Sequence, residues 1–110
     1  MLYILNDGTI RLTRGDTARL TVPIHNDLDD STYTMAEDDI LAFTIKRTVN
    51  DTTPLVSKKS VGINTFHILP EDTKGLKFGS YKYDVQLTTA AGDVYTIIEP
   101  TTFEVLTEVT

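Results

Sequence analysis

Strict alternation of apolar and polar residues in three segments most constrains the fold of this chain. Segments 18–24, 41–45 and 81–87 place an apolar residue at every second position. Successive side chains of a β-strand point to opposite faces, so this period predicts strands with one buried face each. Tyr81 and Tyr83 share the apolar face of the third segment, and we expect both to pack in a core.

Further short strand-like segments lie between these three, and turn residues separate them all. The strand-like segments follow one another at spacings of roughly 8–12 residues, which is typical of a sandwich or barrel. Gly15-Asp16, Asn50–Pro54 and Ala91-Gly92-Asp93 are the clearest predicted turns. The 110-residue chain has no cysteine, so apolar packing alone must hold two layers together. We therefore predict an all-β fold, an immunoglobulin-like antiparallel β-sandwich of about seven strands, in one domain over residues 1–110.

Two short helical turns are also indicated. Residues 70–75 begin with proline, carry acidic residues early and end on Gly75, which can adopt a left-handed cap. Thr34 and Glu37 fit a capping box inside the long polar segment 26–39, so a single helical turn there is consistent with the sequence.

The residues before Tyr81 favour a tyrosine corner. Gly79-Ser80-Tyr81 follows the predicted helical turn and begins a strand, which is where such a tyrosine hydroxyl bonds to upstream backbone. An ordinary core tyrosine explains the pattern equally well, and both interpretations stay open.

Charge argues against two classes of partner. The formal net charge is −6, with lysine and arginine scattered along the chain. Nucleic-acid binding and attachment to anionic lipid both depend on a basic surface, so neither partner is expected. The N-terminal residues show no basic leader and no long apolar run, which favours synthesis and retention in the cytoplasm.

Catalytic motifs are missing from the sequence. The only histidines are His25 and His67, there is no G-x-S-x-G elbow, and no phosphate-binding glycine loop occurs. Asp84 and Glu104 alternate with core positions and are expected to be plain exposed residues. We predict no catalytic residue, no cofactor and a protein that is not an enzyme.

The acidic loop is the one candidate cation site. It contains six carboxylates, which could offer oxygen ligands to calcium: Asp27, Asp29, Asp30, Glu37, Asp38 and Asp39. The calcium-loop pattern is absent and no glycine provides the sharp turn. Acidic loops are usually solvated, so no metal site is predicted.

The last predicted hairpin is apolar on both faces. Tyr95 lies on the opposite face from Val94 and beside Ile97, and an extra apolar face implies burial against another protein. Tyr95 and Ile97, with Tyr3 and Ile4, are therefore the predicted interface. A bulge at residues 99–100 that switches the buried face is an equal alternative.

Several runs in the C-terminal half resemble a known family. They are Ile68–Thr73, Gly79–Leu87, Gly92–Ile97 and Thr102–Val105, and the opening strands near Gly15–Thr17 and at Leu41–Lys46 fit as well. Together they resemble the N-terminal domain of phage baseplate upper proteins and related small prophage tail proteins.

The resemblance implies an immunoglobulin-like sandwich without catalytic residues that attaches to neighbours in a host-recognition device. The expected function is that of a structural protein of a phage or prophage tail or baseplate. Its partners would be other tail or baseplate subunits, including copies of itself. It would be found in the host cytoplasm during assembly and then in the virion tail. A carbohydrate- or ligand-binding module using loop 26–39, and a bacterial surface adhesion module, remain alternatives.

Overall fold

The computed structural model describes residues 2–4, 8–26 and 29–107, with the side chains described from residue 8 onward. These residues form eight strands and one short helix, and the prediction of a strand-based fold is confirmed. The elements are β1 (Leu2–Ile4), β2 (Ile10–Thr13), β3 (Ala18–Thr21), β4 (Ile40–Lys46), β5 (Val56–Val61), β6 (Thr65–Ile68), α1 (Pro70–Lys74), β7 (Gly79–Thr88) and β8 (Val94–Leu106).

Six of the strands form one mixed sheet in the order β1-β2-β8-β7-β4-β5, and β3 pairs with β6 in a second, antiparallel sheet. The prediction of a purely antiparallel arrangement is wrong, because β2 and β8 run parallel, with Ile10 opposite Phe103. A parallel pair needs a long crossover, and here nearly the whole chain between the two strands provides it. Alternation along each strand sets its buried face but does not say which strands are neighbours.

Aromatic packing joins the two sheets. The rings of Phe43 on β4 and Phe66 on β6 lie 5.5 Å apart between centroids, and Tyr83 and Phe103 complete the group around Phe43. The alternating positions of segments 18–24, 41–45 and 81–87 are all buried, as their pattern predicted. The inner face of the six-stranded sheet is therefore the face that meets β3 and β6.

The predicted helical turn at residues 70–75 is present as α1, but its predicted cap is wrong. Gly75 has φ −82°, in the right-handed region. The helix ends as a tight turn in which the Leu76 N–H bonds the Thr73 carbonyl at 2.9 Å. This turn brings Leu76 into the core, where it is 9% exposed.

Residues 34–37 do not form a helical turn. The Ala36 N–H instead donates to the Asp39 carboxylate at 2.9 Å. Because an aspartate side chain takes this backbone donor, the segment has a local alternative to helical hydrogen bonding.

Tyr81 forms the predicted corner. Its hydroxyl donates to the Lys77 carbonyl at 2.6 Å, four residues upstream, while the side chain is only 6% exposed. The two interpretations of this residue are therefore both correct, since the ring packs in the core and the hydroxyl spans the corner.

Candidate protein-interaction surface

The β7–β8 hairpin carries the candidate surface, and its turn is as tight as predicted. The Gly92 N–H donates to the Thr89 carbonyl, and the Thr89 N–H donates to the Asp93 carbonyl, both at 2.9 Å. Gly92 has φ +93°, a left-handed conformation that glycine adopts without steric cost.

Two register shifts determine which side chains of β8 face inward. Between Thr101 and Ile98, β8 advances three residues while β7 advances only two. A second shift follows between Ile98 and Thr96, where β8 advances two residues while β7 advances one. The first shift lies at the predicted bulge near residues 99–100, and it places Ile98 opposite the buried Val85. The second returns Tyr95 to the inner face, opposite Leu87. Tyr95 and Val94 thus lie on opposite faces, as the sequence predicted.

Tyr95 borders an open groove of about 390 Å³ between β8 and the chain that follows β3. Ile24, Leu87 and Ile97 supply its apolar lining, and Tyr33 stands with Tyr95 at its rim. Tyr95 is 53% exposed, whereas Ile97 is half-buried against the core. The structure therefore brings the two predicted interface residues of the hairpin to one groove.

The rest of the groove lining is polar. His25, Asn26, Thr89 and Thr96 also line it, and none of its lining residues is a lysine, an arginine or an acidic residue. Asp30 lies 4.0 Å from the Nδ1 atom of His25. The negative charge near the groove therefore comes from Asp30, which contacts the lining residue His25, and not from the lining itself.

A partly buried hydrogen bond fixes Tyr33, one of the residues that line the groove. Asp39 is 2% exposed and accepts a hydrogen bond from the Tyr33 hydroxyl at 2.5 Å. This bond, followed by those from the backbone N–H groups of Ala36 and Ala90, lowers the pKa of Asp39 below its usual 3.8. The same bond to Asp39 is the main cause that raises the pKa of Tyr33 above 10.0.

Asp39 was not distinguished from its neighbours in the sequence, because it stands among several acidic residues of a loop expected to be solvated. Its backbone carbonyl also accepts the Gly62 N–H at 2.9 Å, which attaches the loop to the β5–β6 turn. Asp29, Asp30, Glu37 and Asp38 are exposed. Asp27 lies outside the described residues.

The opposite, outer face of the six-stranded sheet carries a second apolar feature, which we call the outer row. Val61, Ile40, Thr88 and Val94 are paired in sequence across β5, β4, β7 and β8. Val61 and Val94 are 61% and 58% exposed, and Ile40 and Thr88 are half-buried. The outer row thus presents apolar side chains on three of four adjacent strands.

The other two predicted interface residues are elsewhere. Tyr3 and Ile4 lie in β1, opposite Arg11 and Ile10, and their side chains are outside the described part. Ile10 in turn pairs with Phe103, eight residues along β8 from Tyr95, or roughly 25 Å at the rise of a strand. The backbone register therefore does not bring Tyr3 and Ile4 to the groove.

The histidines and strand carboxylates weighed for catalysis in the sequence lie in different segments, with His67 in β6, Asp84 in β7, Glu104 in β8 and His25 after β3. His25 and His67 are exposed, and Glu104, expected to be plainly exposed, is half-buried with its carboxylate 3.4 Å from the Arg11 Nε. Across residues 8–26 and 29–107, no three histidine or acidic side chains are grouped to hold a metal ion. In the part of the chain that is described, no helix has the length and apolar character to cross a bilayer.

Comparisons with known proteins add no relative. No protein-family model, no curated protein and no solved structure matches this chain.

Proposed function

We propose that this protein is a non-enzymatic structural component of a phage or prophage tail or baseplate and acts through protein–protein contacts. The observation that carries the proposal is the outer row. Its two valines, Val61 and Val94, are more than half exposed on one face of the sheet, so their side chains are accessible for packing against another subunit.

The dimensions of the outer row suit an interface core. Neighbouring strands lie about 4.8 Å apart, so the row from Val61 to Val94 spans roughly 14 Å. Burying apolar surface contributes about 25 cal/mol per Å², and apolar cores surrounded by polar residues are the usual anatomy of such contacts. Lys59 and Gln86, in the next row along the same face, supply polar surroundings.

We propose an immunoglobulin-like sandwich, with β3 and β6 as the smaller layer over the six-stranded sheet. Contact between Phe43 and Phe66 across the layers supports it, as does the Tyr81 corner.

The resemblance of the sequence to baseplate upper proteins and small prophage tail proteins supplies the biological setting. In that setting the partners are neighbouring tail or baseplate subunits, and the protein moves from the host cytoplasm into the particle. An assembly role needs surfaces and no reaction chemistry, which agrees with a candidate site built from apolar side chains.

The decisive experiment tests incorporation into particles. Particles are induced in the strain that encodes the protein, purified by density gradient and analysed by mass spectrometry. The wild type should be found with the tail fraction. Absence from purified particles, when the protein is present in the same lysate, would overturn the proposal.

Matched variants test the outer row within the same experiment. Val61→Lys and Val94→Lys should reduce incorporation, because each places a charge in the proposed apolar contact. Ser57→Lys adds the same charge to an exposed position on the same face of β5 and should be incorporated normally. Circular dichroism of the three purified variants controls for folding.

A further inference from the structure

One stretch of β8 has a neighbour on one side only. Val94, Tyr95, Thr96 and Ile98 pair with β7, but β2 pairs with β8 only at residues 103–106. No described residue pairs with the 94–98 stretch on the side away from β7. This part of a central strand is therefore an exposed sheet edge.

The hairpin hydrogen bonds identify which backbone groups that edge presents. Because the Thr89 N–H bonds the Asp93 carbonyl, the antiparallel alternation makes Leu87 and Tyr95 the next hydrogen-bonded pair. The N–H and C=O groups of Val94 and Thr96 consequently point away from β7. Unpaired groups in such a row are a template for another strand.

The groove lies beside this edge and can receive side chains. Tyr95, Thr96 and Ile97 border it from β8, Leu87 and Thr89 border it from the end of β7, and Ile24 and Tyr33 also line it. In a strand added to the edge, alternate side chains would enter the groove and the others would face solvent. The lining from Ile24 and Ile97 favours apolar residues at the entering positions.

Charge distinguishes between the candidate occupants. Asp93 and Glu99 flank the edge, both exposed, and Asp30 lies 4.0 Å from His25, which lines the groove. A second copy of this chain would bring another net charge of −6 to an acidic site. A basic segment is electrostatically complementary, and such complementarity gives specificity and speeds association.

We propose that the Val94–Ile98 edge accepts an extended, basic segment of another protein as an added β-strand. Main-chain hydrogen bonds would give affinity, and the groove would select alternate apolar side chains. The inference rests on the proposed assembly function and deepens it by naming the form and charge of the partner segment.

The test uses a fluorescein-labelled peptide of about seven residues that alternates lysine and valine, a typical strand length. A second peptide replaces lysine by glutamate, and a third is N-methylated at alternate amides. Thr96→Pro removes the outward N–H at the centre of the edge, whereas Thr96→Val loses the hydroxyl but keeps that N–H. Proline is tolerated where a strand's N–H faces solvent, and amide NMR spectra of both variants verify folding.

Fluorescence anisotropy should show binding of the lysine peptide to the wild type and to Thr96→Val. Binding to Thr96→Pro should be about threefold to tenfold weaker, the effect of one lost hydrogen bond. The glutamate and N-methylated peptides should bind the wild type at least as weakly as the lysine peptide binds Thr96→Pro.

Four results would overturn the inference, and three of them come from the peptide experiments. These three are equal affinity of Thr96→Pro and Thr96→Val for the lysine peptide, equal binding of the lysine and glutamate peptides to the wild type, and no NMR shift at residues 94–98 with the lysine peptide at millimolar concentration. A concentration-dependent mass of the protein alone that Thr96→Pro abolishes would assign the edge to a second copy and also overturn it. None of these results bears on incorporation into particles, which remains a separate test of the assembly function.

Discussion

The Tyr33 hydroxyl donates a hydrogen bond to the buried carboxylate of Asp39, and this pair joins the rim of the groove to the start of β4. Asp39 also receives the Ala36 N–H, so one carboxylate organises the end of the long acidic loop. The bond shifts the pKa values of both partners away from neutrality, downward for Asp39 and upward for Tyr33.

Stability should therefore fall at both ends of the pH range. As the pH falls through 3.8, the unfolded state takes up a proton on Asp39 before the folded state does, because the pKa of Asp39 is lowered in the fold, so the free energy of unfolding decreases as pH is lowered. Above 10.0, the unfolded state loses the Tyr33 proton first, so the free energy of unfolding decreases as pH is raised. Urea titrations across the pH range measure both slopes.

Tyr33→Phe should reduce both slopes, because it removes the shared hydrogen bond. Tyr95→Phe is the matched control, since it deletes a phenolic hydroxyl at the same groove from a side chain that is 53% exposed, and Tyr95 is the smallest of the causes that raise the pKa of Tyr33. A Tyr33→Phe profile that follows the wild type at both ends would show that the pair does not determine the pH dependence.

Tyr81→Phe should lower the free energy of unfolding by about 1 kcal/mol, the usual contribution of one hydrogen bond. The loss has two parts: the bond itself, and the Lys77 carbonyl left without this donor. Thermal and urea unfolding measure it, with Tyr95→Phe again as the hydroxyl control. A change no larger than that of the control would mean that the corner bond does not stabilise the fold.

Alternation of apolar and polar residues identified the core positions wherever one face of a strand is buried along its whole length. In β4 and β7 every second residue is core, so alternation with polar neighbours was enough to place Phe43, Tyr81 and Tyr83 in the interior. It did not find β1, whose three residues are too few for a period, nor the parallel neighbour of β2. Pairing partners depend on contacts between distant segments, which local periodicity does not encode.

The candidate site was partly predictable for a similar reason. The apolar excess around Tyr95 and Ile97 was visible, and so was the bulge near residues 99–100 as an alternative. The second register shift was not, because it is defined only relative to β7. Asp39 was missed because burial of a carboxylate depends on a donor from Tyr33 that becomes close only in the folded loop.

Phe43→Ala should destabilise the protein by about 3–5 kcal/mol, as large truncations in a core do. Phe43 is fully buried at the centre of the aromatic group that joins the two sheets. Val49→Ala, at a position that is 55% exposed, should change stability by no more than about 0.5 kcal/mol. A loss well under about 1 kcal/mol for Phe43→Ala would contradict the packing of β4 against β6.

Tyr95→Lys should leave the fold intact and weaken association with the partner. The side chain is 53% exposed, so its replacement is expected to change the free energy of unfolding by no more than about 0.5 kcal/mol. The added ammonium would remove aromatic contact area at the groove and would repel a basic segment beside it. Tyr95→Phe keeps the ring without adding charge and should behave as the wild type.

The measurements are incorporation into particles and affinity for the lysine peptide, compared with thermal unfolding of the same samples. Loss of folding in Tyr95→Lys would instead identify Tyr95 as a core residue, and unchanged incorporation with unchanged peptide affinity would remove this side chain from the interaction surface.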